Sequence, residues 1–541
     1  MADTDTAAAP PSCNTVQALL EWRASQHPHR PFLRFVGDDA DASWTWAETR
    51  DAARHLAAAL HAQGVGQGEH VAVMLPNGPA FVQSWLALGY LGAVMVAVNT
   101  EYIGSFLHRV LDHSETSTLI VDGTLVSAVA ALDAPLDTLQ RVLVFGEVDV
   151  ASADALTAPV LAASACLAAT DATDLQVARV GPADTACIMY TSGTTGAAKG
   201  VLMPEAHVLR FGQGAIDQLG VHGGDTYYIC LPLFHINALG MQLCTALIAG
   251  ARAVIRSRFS ASAWLSDIRA HGCTVTNMLG ALADFVLATP PSDLDRDAGL
   301  RLITMAPSVP AIVEGLRTRF AVPEVCALYG MTEVNIPLYS APGTPLKPGS
   351  SGRVYSDAYD LAVVNPDTDV RCAAGEVGEI VVRPRQPFAF MQGYYRQAEQ
   401  TVEAWRNLWF HTGDAAWMDA DGDVFFVDRI KDCIRRRGEN VSSAMVESEI
   451  IALPGVIECA AVAVPAGDGG GEDDILLVYV AEGSVTAEDL WCACAGRLPR
   501  FAVPRWWRRV DALPKTPTNK VRKQILRNAG TADGAWCAPG R

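Results

Sequence analysis

Positive charge is scarce in this sequence. Its 541 residues hold 41 lysines and arginines against 59 aspartates and glutamates, a net charge of −18. That balance argues against non-specific binding to nucleic acid or to acidic membranes, although a local loop can still hold a small anion. The 13 cysteines show no repeated spacing, and the closest pair, Cys492 and Cys494, is poor evidence for zinc. An odd, scattered set suits a reduced cytoplasmic protein with buried thiols. Met1 to Ser12 lacks the basic start and apolar core of a signal peptide, and residues 1–15 read as a frayed tail. The longest apolar stretch, Phe81 to Val98, is interrupted by Gln83, Ser84, Gly89 and Gly92. It predicts a buried helix followed by a buried strand, with no integral membrane segment. Internal repeats are also absent.

Half the residues are apolar and 18% are charged, a globular composition. The chain is too long for one core and predicts at least two domains. A helix is expected over Trp44–Gly64, where Thr45 and Glu48 form a capping box and Gly64 closes the end. The strand Val71–Leu75, the helix Pro79–Leu91 and the strand Val94–Val98 follow. Alternation continues through Leu119–Val121, Arg141–Phe145, Val254–Ile255 and Leu300–Met305, which argues for stacked parallel α/β layers. The Ala-rich, weakly patterned segment Val126–Thr173 reads as peripheral. After the turn Asp419–Asp423 and the strand Val424–Val427, the boundary is set at Arg429–Lys431. A compact unit follows, with helices Ser443–Leu453 and Thr486–Leu498 and strands Cys459–Val464 and Ile475–Val480.

The stretch from Tyr190 to Gly200 organises the rest. Apolar runs lead in (Ala186–Tyr190) and out (Val201–Met203), so it reads as strand, tight loop, strand. Its glycines allow close approach of backbone N–H groups to an anion, and its hydroxyls and Lys199 add donors and charge. A polyphosphate suits it; a Gly/Thr surface turn is the alternative. The spacing is not that of the nucleotide-hydrolase P-loop, because Ala198 stands where that pattern needs glycine.

The stretch resembles the signature loop of the adenylate-forming superfamily, which includes acyl-CoA synthetases, luciferases and the adenylation domains of peptide synthetases. That family usually has proline at the place of Ala198. Motifs in family order extend the resemblance from about Val16 to Leu526. It implies an α/β fold: a large N-terminal domain of layered α/β subdomains (1–428), a hinge (429–431) and a small mobile C-terminal α+β domain (432–541).

The resemblance also implies roles. Thr191, Ser192, Gly193, Thr194, Thr195, Gly196 and Lys199 would hold ATP phosphates. Leu328-Tyr329-Gly330-Met331-Thr332-Glu333 resembles a second signature. Tyr329, with Gly330, Met331 and Ala306, would hold adenine, Thr332 would meet the phosphate, and Glu333 would bind magnesium; a helix start capped by Thr332 is the alternative. His235, after Pro232-Leu233-Phe234, would line the acyl pocket and gate the thiol tunnel, or else be a satisfied histidine at a strand end. Leu279, Met305 and Leu328 would line the same pocket. A bulky Met305 there would shorten the cavity and suit a compact acid, unless it points into the core. Asp414 would accept the ribose hydroxyls, Arg429 would touch ribose or phosphate, and Lys431 would be the hinge. Arg437 and Gly438 would line the thiol tunnel. Lys520, in a motif with Asn519 at the usual glycine place, would be the catalytic lysine.

The activity implied is ATP-dependent adenylation of a small-molecule carboxylic acid, with release of pyrophosphate. Transfer to a thiol follows, with Mg2+ as cofactor and coenzyme A as the expected acceptor. A carrier-protein thiol, an amine, nitrite activation for N–N bond formation, and a non-catalytic nucleotide-binding relative stay open as alternatives. A cytoplasmic location is expected, and a homodimer is among the assemblies that the resemblance implies.

Overall fold

The computed structural model describes residues 14–37, 41–172, 175–191, 199–430, 434–436, 439–441, 443–466, 473–494, 497–498, 502–516, 520–531 and 534–539. By contacts the chain divides into two compact units. The first runs through most of the chain to Phe410, apart from residues 194–196 and 362–381; the second takes those segments and His411–Arg541.

The first unit contains two large sheets. One has eight strands, ordered Gly393–Tyr394, Lys199–Pro204, Thr185–Thr191, Val94–Ala97, His70–Met74, Thr118–Asp122, Arg141–Phe145 and Val160–Ala162. Its pairings are parallel except at Lys199–Pro204, which runs antiparallel to both neighbours. The other has nine strands, with a parallel centre and antiparallel strands at both ends. The expected layers are therefore present, and the Ala-rich stretch supplies short helices and the edge strand Val160–Ala162.

Local signals act as expected. The helix Trp46–Ala62 is opened by a complete Thr45–Glu48 capping box. It starts two residues later than the sequence suggests, because Trp44 pairs with Leu33 in a strand. Pro79–Leu91 is a helix closed by left-handed Gly92, and Val94–Ala97 is wholly buried. No described helix is long and apolar enough to cross a membrane.

One buried carboxylate ties the first helix to this layer. Glu205 is 3% exposed and accepts the Val16 backbone N–H at 2.9 Å. Burial pushes its pKa up to about 7, against the Val16 bond, which lowers it. The unfolded chain releases this proton near 4.5 and the folded chain near 7. The resulting stabilisation is complete below the lower value and is lost as pH rises through the higher one. Glu205→Gln keeps the acceptor and removes the titration. Between about pH 5 and pH 8, the melting temperature of the natural protein should fall relative to that of the variant, by the equivalent of roughly 3 kcal/mol at most. Parallel melting curves would refute this.

The second unit contains most of a four-stranded sheet, ordered Tyr359–Val364, Gly378–Pro384, Phe410–Met418 and Val424–Arg429. It also contains a sheet ordered Val456–Pro465, Asp473–Ala481, Trp506–Arg509 and Trp536–Cys537. Strand alternation divides the latter between two cores: Ala461, Ile475, Leu477 and Tyr479 on one face, Ala460, Val462, Leu476 and Val478 on the other. The helix Ser443–Ile451 begins on Asp428, whose Oδ2 accepts the N–H groups of Ser443 at 2.8 Å and Ala444 at 3.3 Å.

Candidate active site

The organising loop is carried by a hairpin. Thr185–Thr191 pairs antiparallel with Lys199–Pro204, and Thr191 faces Lys199 at its tip. Gly200 lies against Tyr190: an added Cβ would fall 3.2 Å from that ring. Ser192, Gly193, Thr194, Thr195 and Gly196 lie outside the described residues.

The second signature forms another hairpin. Glu324–Met331 pairs antiparallel with Asn335–Tyr339, and Thr332, Glu333 and Val334 make the turn. This corrects the alternative of a helix capped by Thr332. Gly330 is dictated by close approach, since a Cβ there would meet the Asn335 carbonyl oxygen at 2.2 Å. The Thr332 carbonyl accepts from His207 Nε2 at 2.9 Å. Burial pulls His207 down to about 4, so its ring is neutral. Tyr329 is buried, and Met331 and Thr332 are half-buried.

A residue that the sequence did not single out joins these hairpins. The two-residue strand Gly393–Tyr394 pairs with Leu202 and Val201. Lys199 Nζ stands 4.5 Å from the centroid of the Tyr394 ring, a cation–π contact. The Tyr394 hydroxyl donates to Glu333 Oε1 at 3.1 Å. Glu333 is 5% exposed, and its carbonyl accepts from Met391 N. Tyr394 thus gathers a lysine, a carboxylate and the Thr332 turn. A tyrosine after a glycine carries no signal of this; the strand pairing creates it.

The nine-stranded sheet decides which pocket candidates share a face. In register, Asn277 faces Thr304, Leu279 faces Ala306, and Thr304 faces Cys326. By strand alternation, Leu279, Ala306 and Leu328 lie on one face with Asn277 and Thr304. Met305 lies on the other. It is 1% exposed and packs in a core with Met278, Ile303 and Val325. This corrects the pocket role expected for Met305 and removes its argument for a compact acid. Leu279 is 44% exposed at the end of its strand. His235 is half-buried, in the turn before the π-helix Asn237–Cys244, with its ring 4.8 Å from that of Phe234. π-helices are rare and frequent at functional sites.

Within the second unit, Asp414 and Arg429 are cross-strand partners, and Arg429 Nε lies 2.7 Å from Asp414 Oδ1. Glu379, also unsignalled in the sequence, shapes the preceding turn: it accepts the Gly413 N–H at 2.9 Å and lies 2.8 Å from His411 Nδ1. Lys520 keeps an exposed surface. Burial of its ammonium and, next, the Arg429 charge hold its pKa below the ordinary lysine value, with Asp414 pulling the other way. Lys431, Arg437 and Gly438 lie outside the described residues.

A divalent cation can be tested against these residues. The described residues form no group of three or more His, Cys, Asp or Glu that would cage a metal. Glu333 is a buried carboxylate oriented by a phenol. That suits magnesium, which takes one or two carboxylates and otherwise keeps water and phosphate oxygens.

Comparison with known proteins gives the family. The AMP-binding enzyme family matches residues 20–395, and the AMP-binding enzyme C-terminal domain matches 445–520. The chain is 31% identical over 524 residues to a sulfoacetate–CoA ligase of Cupriavidus necator, covering 95% of this chain and 98% of that protein. It is also 31% identical over 526 residues to a feruloyl-CoA synthase of an Amycolatopsis species, covering 94% and 99%. Among solved structures, the O-succinylbenzoate coenzyme A synthetase of Bacillus subtilis in complex with AMP aligns with a TM-score of 0.79 and 26% identity, covering 95% and 98%. Matches this long and continuous mean that the chain belongs to the AMP-binding enzyme family, as an adenylate-forming, acyl-CoA synthetase-like ligase.

Proposed function

We propose that the chain joins a carboxylic acid to coenzyme A in two half-reactions. In the first, an acid oxygen attacks the α-phosphorus of ATP; the new P–O bond forms as the bond to pyrophosphate breaks, giving an acyl adenylate. Thr191, Lys199 and the loop Ser192–Gly196 hold the leaving phosphates. Tyr329, Gly330, Met331 and Ala306 hold adenine, and Asp414 and Arg429 hold the ribose. Thr332 donates to the phosphate. Lys520 offsets the negative charge that builds at phosphorus. Glu333 would hold Mg2+, which when bound supplies Lewis-acid charge at the phosphate oxygens.

In the second half-reaction the coenzyme A thiol attacks the adenylate carbonyl, a C–S bond forms and AMP leaves. We assign His235, Leu279 and Leu328 to the acyl side, and Arg437 and Gly438 to the thiol path. Lys431 is the pivot at which the C-terminal domain, residues 432–541, turns between the two steps. We take the compartment to be the cytoplasm, in keeping with described cysteines that are all unpaired, and the assembly to be a homodimer that binds no nucleic acid.

The observation that carries this reading is the Tyr394 junction, which holds Lys199 of the first signature and Glu333 of the second on one side chain. The test is ATP-dependent pyrophosphate release over a panel of acids, nitrite included, with and without coenzyme A. The expected result is release that requires one acid and yields AMP and a CoA thioester. Release without a thioester would replace coenzyme A with another acceptor. No release with any acid would defeat the reading.

A further inference from the structure

A ladder of buried amides ends on the sheet face that carries Leu279, Ala306 and Leu328. At its inner end, the Tyr227 hydroxyl donates to Asn277 Oδ1 at 2.6 Å, and the Thr304 hydroxyl donates to the same oxygen. Asn277 Nδ2 then donates to Asn237 Oδ1 at 3.0 Å, and Gln242 Nε2 donates to that oxygen at 3.0 Å. Tyr227, Gln242 and Thr304 are fully buried and Asn277 is 2% exposed, whereas Asn237 is half-buried.

The polarity of the ladder follows from its inner end. Reversing the amides would make both hydroxyls acceptors and leave two buried O–H groups without partners, each a cost that folded proteins avoid. With both hydroxyls donating, Asn237 Oδ1 is occupied twice, while its Nδ2 is used by no bond within the described protein. Asn237 is thus a donor at the open end of a locked chain. It stands two residues after His235, and its partner Asn277 is one pleat from Leu279 on the same strand face. The ladder contains no cation, so it suits a neutral oxygen rather than a second carboxylate, which would be costly to bury unpaired.

We propose that Asn237 donates a hydrogen bond to a neutral oxygen, hydroxyl or oxo, on the acyl part of the acid, so that the enzyme selects an oxygenated acid over its unsubstituted parent. This rests on the ligase reading above. An unsubstituted chain would displace water from Asn237 and leave its N–H groups unpaired. A site built to bond an oxygen discriminates strongly against an analogue that lacks it.

The test uses acyl sulfamoyl adenosines, stable mimics of the adenylate, on butanoyl and benzoyl skeletons. Each is made unsubstituted, hydroxylated at each position in turn, and with an oxo group on the butanoyl chain. Affinities are measured by calorimetry on the full chain. We expect one oxygenated analogue to bind the natural protein roughly tenfold to a hundredfold tighter than its parent. Asn237→Asp keeps the oxygen that Asn277 and Gln242 bond, but replaces the outward donor with an acceptor. It should erase or reverse a preference for an oxo group, which can only accept; a hydroxyl can donate to the new carboxylate, and for it the crystallographic position of the oxygen decides. A crystal structure of the natural protein with the preferred analogue should place its oxygen within hydrogen-bond reach of Asn237 Nδ2, whether or not the variant folds. Binding without preference, an oxo preference untouched in Asn237→Asp, or a preferred oxygen placed out of reach of Asn237 overturns the inference alone. Failure of every analogue to bind overturns the ligase reading and takes this inference with it.

Discussion

Lys520→Ala should slow the first half-reaction sharply and spare the second. Loss of one positioned charge from a phosphoryl transition state costs roughly 10²- to 10³-fold in rate. Pyrophosphate release should fall by that factor, whereas synthetic acyl adenylate should still be converted to thioester. Equal loss in both assays would mean that Lys520 acts on the fold. The direction of its pKa adds a second expectation. Lys520 must be protonated to offset phosphate charge, and its pKa lies below the ordinary lysine value of 10.5 through burial and the nearby Arg429. Adenylation should therefore decline as pH rises through that lowered value, earlier than for a lysine of ordinary pKa. Lys520→Arg should move this decline to higher pH, because a guanidinium stays charged.

Glu333→Gln should cost on the order of 10²-fold in adenylation by removing the carboxylate charge from the phosphate site, and should raise the Mg2+ concentration needed for half-maximal rate. Tyr394→Phe separates two contributions. It keeps the ring beneath Lys199 and removes the hydroxyl that bonds Glu333. A partner that orients a metal ligand contributes roughly 10- to 100-fold, so the variant should lower the affinity for Mg2+ by about the lower figure and leave the affinity for the acid alone. An unchanged magnesium titration in both variants would remove Glu333 from the metal site. Restoring activity to Tyr394→Phe with excess Mg2+ would separate orientation of Glu333 from a packing defect.

The fold was legible where a signal is local. The Thr45–Glu48 capping box, the apolar strand before the loop and the Asp419–Asp423 turn each depend on residues a few positions apart, and each is found as expected. Met305 was harder, because the sequence does not say which face of a strand is core. Its neighbours Thr304 and Ala306 lie on the candidate-site face, and only the register with Asn277 and Leu279 shows this. Tyr394, Glu379 and Asn237 were missed for a related reason. Each acts through a distant partner for which nothing nearby is diagnostic: Glu333, His411 and Asn277 differ from them by 61, 32 and 40 positions.

The pairing of Gly393–Tyr394 with the strand Lys199–Pro204 also matters for anyone dissecting the chain. These two residues cap the edge of the eight-stranded sheet. An N-terminal fragment ending before Gly393 would bare the backbone of Val201 and Leu202 as an open edge, the kind of template on which chains stack into aggregates. A soluble N-terminal piece should therefore extend through Tyr395, where the family match itself stops. Failed expression of shorter fragments would then reflect an uncovered edge and not an intrinsic dependence on the C-terminal unit.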